Sequence, residues 1–202
     1  KEAKKKIDQL NSNGVLLDWW HDEHKRFGNE SETKIRKARI SIAENLKKEL
    51  GSDKIIMGNL NWKSDYSTHH IINGAYIELG KKGNKYSKSH FFQLEKLLIK
   101  HNEKLQQPKI IAVEFWKIKS IGGKKIGLKH IENYKLSKML TAMATVIPDN
   151  GYITYVYGNG ERWNGYVGKE DIHYDFYDFD IGKPTSSYTP IKKGVGIKNF
   201  EK

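Results

Sequence analysis

Residues 151–180, GYITYVYGNG ERWNGYVGKE DIHYDFYDFD, decide our prediction of the fold because they combine strand-like alternation with a dense group of functional side chains. Over residues 151–157 the aromatic and β-branched side chains alternate between two faces, which predicts a β-strand. Asn159-Gly160 follows, and this dipeptide favours a tight hairpin turn. The stretch therefore predicts two antiparallel strands joined by a hairpin.

A second alternating segment covers residues 172–176. Side chains two positions apart on a strand share a face, so we expect His173 and Asp175 to project together, with Asp178 close behind in the chain. A histidine beside a carboxylate can transfer protons in catalysis. The alternative is that these are polar residues on the solvated face of an edge strand.

The rest of the chain predicts helices and further strands. Asn29 and Glu32 form a capping-box pattern, and apolar residues at helical spacing continue to Gly51. We predict strands over residues 54–62, 71–79 and 109–116, a hairpin at Gly122-Gly123, and helices near residues 89–101 and 136–143. Strict alternation of strand and helix is not evident, so we predict an α+β fold with a mainly antiparallel sheet.

We predict one domain over residues 1–202, with a helical N-terminal part (1–50) and a loosely structured C-terminal extension or dimer arm (181–202). The chain has no apolar run of about 18 residues, which argues against a membrane helix. It has no cysteine, which excludes disulfides, thiolate zinc sites and a cysteine nucleophile and is compatible with a cytoplasmic location.

The formal net charge of +12, from 36 basic and 24 acidic residues, favours a polyanionic partner, first nucleic acid and second an anionic membrane. Arginine reads base edges better than lysine, whereas lysine mainly attracts phosphates. The candidate base contacts are Arg26, Arg36, Arg39 and Arg162, and the candidate phosphate contacts are Lys63, Lys81, Lys82 and Lys85. For Arg36 and Arg39 the alternative is an ordinary solvated helix face.

Metal-dependent nuclease patterns match poorly. Glu114 and Lys117 are separated by two residues, whereas the PD-(D/E)xK pattern requires one residue between the acid and the lysine. Residues 151–153 and 165–168 only weakly match a GIY-YIG nuclease, and His69 and His70 lack the partners of an HNH site. We therefore predict neither a metal site nor a cofactor.

Tyr66 in the loop 61–70, Trp163, His173 and an acid at Asp175 or Asp178 occur in an order that resembles the PabI family of half-pipe restriction enzymes. The family's His-x-x-Asp spacing falls here on Phe176, which leaves both acids as candidates. The resemblance implies a strongly curved, half-pipe-like sheet and a homodimer on double-stranded DNA. It also implies metal-independent excision of a flipped adenine from a short palindrome, which leaves an abasic site prone to β-elimination.

Two other functions fit the same residues. One is a metal-independent endonuclease or RNase-type toxin that uses His173 in acid–base chemistry. The other is a non-enzymatic nucleic-acid-binding module in which aromatic side chains stack on bases along a lysine-rich groove.

Overall fold

The architecture is seen in a computed structural model, which describes residues 2–21, 28–63, 67–79, 86–118, 120–127, 129–156 and 174–201. The helices are α1 (Glu2–Gln9), α2 (Glu32–Leu50), α3 (Lys88–Lys104) and α4 (Ile131–Val146), and a short 3-10 helix spans Asp175–Asp178. The strands are β1 (Gly14–Leu17), β2 (Ile55–Asn59), β3 (Gly74–Glu78), β4 (Ile110–Trp116), β5 (Ser120–Ile121), β6 (Lys124–Lys125), β7 (Gly151–Val156), β8 (Thr189–Lys192) and β9 (Val195–Ile197).

Five strands form one sheet in the order β1-β2-β3-β4-β7, and every neighbouring pair is parallel. The protein is therefore α/β. Our prediction of an α+β fold with a mainly antiparallel, strongly curved, half-pipe-like sheet is wrong. Parallel neighbours need a crossover connection, and α2, α3 and α4 supply three of these crossovers.

Two features of the chain concealed the strand–helix alternation. The described residues of the β2–β3 connection form turns rather than a helix, and the small β5–β6 hairpin separates β4 from α4. In addition, β1 has only four residues and lies in the part that we predicted as helical. The predicted hairpin at Gly122-Gly123 is confirmed, and both glycines have positive φ angles.

The helices pack against one face of the sheet. Right-handed crossovers between strands that are neighbours in sequential order place successive helices on the same side. The side chains on that side, which we call the apolar face, are fully or almost fully buried: Ile56, Ala75, Ile77, Ile111, Val113 and Phe115. They form one core with Ala43 of α2, Leu98 of α3 and Leu140 of α4.

The start of α2 differs by a few residues from the predicted start. Helix α2 begins one residue after Ser31, whose hydroxyl accepts a hydrogen bond from the Lys34 N–H, so Ser31 rather than Asn29 is the N-cap. Residues 189–197, in the predicted C-terminal extension, form the β8–β9 hairpin, and Tyr188 at its start contacts α3 through Glu95. Across the described ranges, no helix is long and apolar enough to cross a bilayer.

Candidate functional site on the polar face of the sheet

The second face of the sheet carries polar side chains, and we call it the polar face. Its residues, which alternate with those of the apolar face, include Asn59, Tyr76, Glu78, Glu114, Tyr152 and Thr154. Parallel sheets are normally covered on both faces and read as continuous apolar runs. Here Tyr152 is 53% exposed, and Glu78 and Glu114 are half-buried. The polar face is therefore neither fully covered nor apolar, and a functional site would explain this difference.

The centre of the polar face is a tyrosine–carboxylate pair. The Tyr76 hydroxyl donates a hydrogen bond to Glu114 Oε2. Burial, followed by this hydrogen bond, raises the pKa of Tyr76 above its ordinary range, while a hydrogen bond with Thr154 acts in the opposite direction. Tyr76 therefore stays protonated at neutral pH and holds the Glu114 carboxylate in a fixed orientation.

Two further carboxylates lie beside this pair. Glu78 and Glu114 are partners in the β3–β4 register, which brings them side by side on adjacent strands. Asn59 Nδ2 donates to Asp18 Oδ1 at 2.8 Å and to Glu78 Oε2 at 3.3 Å. The amide group of Asn59 thus separates two carboxylates that would otherwise repel each other. The result is a row of oxygen-bearing side chains near the carboxyl ends of four strands.

The chain leaves β1 and β2 in strained conformations at this same edge. Trp19, next to Asp18, has φ 53°, and Asn61, after β2, has φ 51°. Asparagine tolerates this left-handed region, but an aromatic residue rarely adopts it. The Arg39 guanidinium donates to the Trp19 carbonyl at 2.9 Å and so supports the strained turn. Such strain concentrates at functional sites.

A separate cluster lies behind the apolar face at the end of β4. Lys117 is 4% exposed, and its ammonium donates to Ser137 Oγ at 2.6 Å and to Tyr174 Oη at 3.0 Å. Burial lowers the pKa of Lys117 to about 8. Because Ser137 is also fully buried, the cluster connects β4 to α4 and to the segment that precedes the 3-10 helix.

Most of the residues predicted for catalysis lie outside the described residues: Tyr66, Trp163 and His173. Asp175 and Asp178 are described and exposed, and both occupy a 3-10 helix, whereas we predicted Asp175 in a strand over residues 172–176. Asp175 Oδ1 accepts hydrogen bonds from the Tyr134 hydroxyl at 3.1 Å and from the Phe176 N–H at 2.9 Å. The side-by-side placement of Asp175 with His173 therefore stays a prediction.

Some of the predicted nucleic-acid contacts also lie outside the described residues, and others lie within them. Arg26, Lys81, Lys82, Lys85 and Arg162 lie outside the described residues. Arg36 is exposed and pairs with Glu32 at 2.8 Å, as on an ordinary helix surface. Lys63 is half-buried in the turn after β2, where its N–H donates to the Leu60 carbonyl at 3.2 Å.

Arg39 requires a correction. It is 5% exposed, and its guanidinium lies over the Trp20 ring at 5.1 Å besides donating to the Trp19 carbonyl. A side chain in this position supports the β1 edge and does not face a DNA groove. Its place in a helix pattern rich in charged residues concealed this role, because sequence spacing alone cannot distinguish a solvated arginine from one buried against a tryptophan.

The polar-face residues were missed as a group. The one available signal was the presence of Asn59, Glu78 and Glu114 inside or at the end of otherwise apolar strands, and it becomes informative only when the strands are known to be parallel neighbours. In the part of the chain that the structure describes, no group of three or more His, Asp or Glu side chains is arranged to hold a metal ion.

No protein-family model matches this chain, and a search of curated proteins found no significant match.

Proposed function

We propose that this protein is a nucleic-acid glycosylase that hydrolyses an N-glycosidic bond at the polar face of its sheet. The observation that carries the proposal is the Tyr76–Glu114 hydrogen bond with Glu78 beside it, placed on a half-exposed sheet face of a strongly basic protein. Adenine in double-stranded DNA is the proposed target, as the resemblance of the sequence implies.

The charge of the site favours this reaction class over direct, metal-free cleavage of a phosphodiester. Breaking an N-glycosidic bond develops positive charge on the sugar, which carboxylates stabilise. Attack on a phosphodiester develops negative charge, which Glu78 and Glu114 would oppose. The net charge of +12 on the chain as a whole would attract the phosphate backbone and bring the sugar to the carboxylates.

Glu114 is proposed as the group that accepts a proton from the attacking water. The water oxygen bonds to the sugar C1′ as the C1′–N bond breaks, and the leaving base takes up a proton from solvent. Glu114 then returns the proton of the attacking water to solvent. Tyr76 positions the Glu114 carboxylate, and Glu78 adds negative charge next to the cationic sugar. Tyr152 and Thr154, both exposed on β7, flank the site, and the aromatic ring of Tyr152 offers a stacking surface for a base.

The proposal includes two features that follow from its substrate. Recognition of a palindrome would use a two-fold homodimer, which light scattering with and without a palindromic duplex tests. A cytoplasmic location, where cellular DNA is accessible, belongs to the same proposal.

The test is incubation of the protein with plasmid DNA in excess EDTA, followed by chromatography of the small-molecule fraction for free bases. We expect adenine release that Glu114→Gln lowers by about 10²–10⁴-fold, since the variant keeps the size of the side chain but loses the proton acceptor. Lys135→Ala, which changes an exposed lysine on α4, is the matched control and should retain full activity. Undiminished base release by Glu114→Gln would refute the assignment of Glu114.

A magnesium-dependent nuclease is the second candidate, because Glu78 and Glu114 are register partners and carboxylates are the ligands that Mg²⁺ prefers. It predicts strand breaks without free base, and only when Mg²⁺ is added to the same assay. Strand breaks of that kind, lost in both Glu78→Gln and Glu114→Gln, would replace the glycosylase proposal with this one.

A further inference from the structure

A cavity of about 360 Å³ lies between α3, α4 and the C-terminal hairpin. It is on the helix side of the molecule and shares no lining residue with the polar face of the sheet. Its walls are mainly apolar and come from Phe91 and Phe92 of α3 and from Met139, Met143 and Val146 of α4. Its volume and its apolar walls are typical of small-molecule sites.

The β8–β9 hairpin forms one wall of this cavity through specific contacts. Glu95 of α3 is buried, and its two oxygens accept hydrogen bonds from the Tyr188 hydroxyl at 2.8 Å and the Gly194 N–H at 3.2 Å. Burial, followed by this hydrogen bond, raises the pKa of Tyr188 to about 12, so its hydroxyl remains a donor. The one acidic side chain among the lining residues is therefore already engaged by the hairpin.

Two glycines keep this wall close to the helices. A Cβ on Gly194, which has φ +75°, would lie 2.6 Å from the Phe92 ring, and a Cβ on Gly196 would lie 2.2 Å from the Tyr188 ring. Larger residues would push the hairpin outward and open the cavity.

Two cations lie against the same aromatic side chain of the cavity. The ammonium of Lys193 is 4.5 Å from the centroid of the Phe92 ring, and that of Lys88 is 5.6 Å from it. Both lysines are exposed, so both are accessible to a ligand. The ammonium groups of Lys88 and Lys193 outnumber the one buried carboxylate, Glu95, so the net charge at this end of the cavity is positive.

We propose that this cavity binds a small amphipathic anion, with an alkyl chain between α3 and α4 and a carboxylate head at Lys88 and Lys193. The apolar walls match the alkyl chain, and the flexible side chains of Met139 and Met143 adapt to its shape. The two ammonium groups match the charge of the head. The site is independent of the proposed glycosylase activity.

Calorimetric titration of the full chain with sodium decanoate, below its micelle concentration, tests the proposal. Decyltrimethylammonium has the same alkyl chain with the opposite charge and serves as the contrasting probe. We expect saturable decanoate binding at one site and at least tenfold weaker binding of the cationic probe. Comparable binding of both probes would identify a charge-indifferent apolar groove and overturn the proposal, as would the absence of decanoate binding.

Three variants locate the binding. Lys88→Ala combined with Lys193→Ala should weaken decanoate binding about tenfold, because both exposed charge contacts with the carboxylate are removed. Ala142→Phe places a ring into the cavity from an exposed position on α4 and should abolish the binding. Lys135→Ala, on α4 outside the lining residues, should change nothing. Binding that persists in Ala142→Phe, with an unchanged circular dichroism spectrum and melting temperature, would exclude this cavity as the site.

Discussion

The two faces of the sheet carry opposite kinds of side chain on the same strands. On β3, Ile77 is fully buried, whereas its neighbours Tyr76 and Glu78 are half-buried and polar. On β4, Val113 and Phe115 are fully buried on either side of Glu114. On β3 and β4, the odd-numbered residues therefore pack against the helices, and the even-numbered residues carry the candidate site.

This difference shows how a parallel sheet can carry a chemical site on one of its two faces. The apolar face supplies burial, at about 25 cal/mol for each Å² of apolar surface removed from water. The polar face does not have to supply this apolar burial. Carboxylates are therefore tolerated there when they have hydrogen-bond partners, as Glu114 has in Tyr76. A shift of one residue in strand register would exchange the faces and destroy both.

The largest effect should come from the apolar face. Phe115→Ala removes a fully buried ring from the contact between sheet and helices and should lower the free energy of unfolding by about 3–5 kcal/mol. Urea unfolding followed by circular dichroism measures the change. A loss below about 1 kcal/mol would contradict the placement of Phe115 in the core.

The next largest effect on stability should come from the contact between α4 and the start of β7. A Cβ on Gly151 would lie 1.7 Å from the Ala144 carbonyl oxygen, so Gly151→Ala must displace the end of α4 and should cost about 3 kcal/mol. Gly127→Ala is the control, because a Cβ there meets nothing within 4 Å. Equal melting temperatures for the two variants would show that α4 does not pack on the start of β7.

A buried pair of histidines, His69 and His101, should make the stability of the fold depend on pH. His69 Nε2 and His101 Nδ1 are 2.9 Å apart, and burial, followed by the proximity of His69, lowers the pKa of His101 to about 3. The unfolded chain takes up this proton near pH 6.5, so stability is lost as pH falls below that value. For His101 alone, the loss at pH 5 is about 2 kcal/mol.

The measurement is urea unfolding at pH 7 and pH 5. In His101→Gln the difference between the two pH values should shrink by about 2 kcal/mol, because the titrating group is gone. His70→Gln, at an exposed position one residue from His69, should leave the difference as it is in the unaltered protein. The same pH difference in His101→Gln would show that His101 does not stay neutral in the fold.

The smallest effect on stability should come from the polar face. Tyr152 is 53% exposed, so Tyr152→Ala should change the free energy of unfolding by no more than about 0.5 kcal/mol in the assay used for Phe115→Ala. If the proposed function holds, the same variant should weaken DNA binding by about 1–3 kcal/mol through lost base stacking, measured by fluorescence anisotropy. A large loss of stability would mean that Tyr152 packs as a core residue.

Local patterns predicted the elements better than their arrangement. The helical stripe that ends at Gly51 and the apolar strand at residues 109–116 correspond to α2 and β4 because periodicity and caps act over a few residues. The short β1 carried too weak a pattern to be recognised as a strand. The parallel direction of the strands was missed because a hairpin separates β4 from α4 and because the described residues of the β2–β3 connection form turns.

The amino-acid sequence alone was enough to predict the basic charge, the absence of cysteine chemistry, the principal helices and strands, and the small hairpin at Gly122-Gly123. The folded arrangement was needed to see that the strands are parallel, that Arg39 is buried, and that Asp18, Glu78 and Glu114 lie along one face. These residues are far apart along the chain. Asp18, Asn59, Glu78 and Glu114 become neighbours only through the pairing of β1, β2, β3 and β4, which no local pattern encodes.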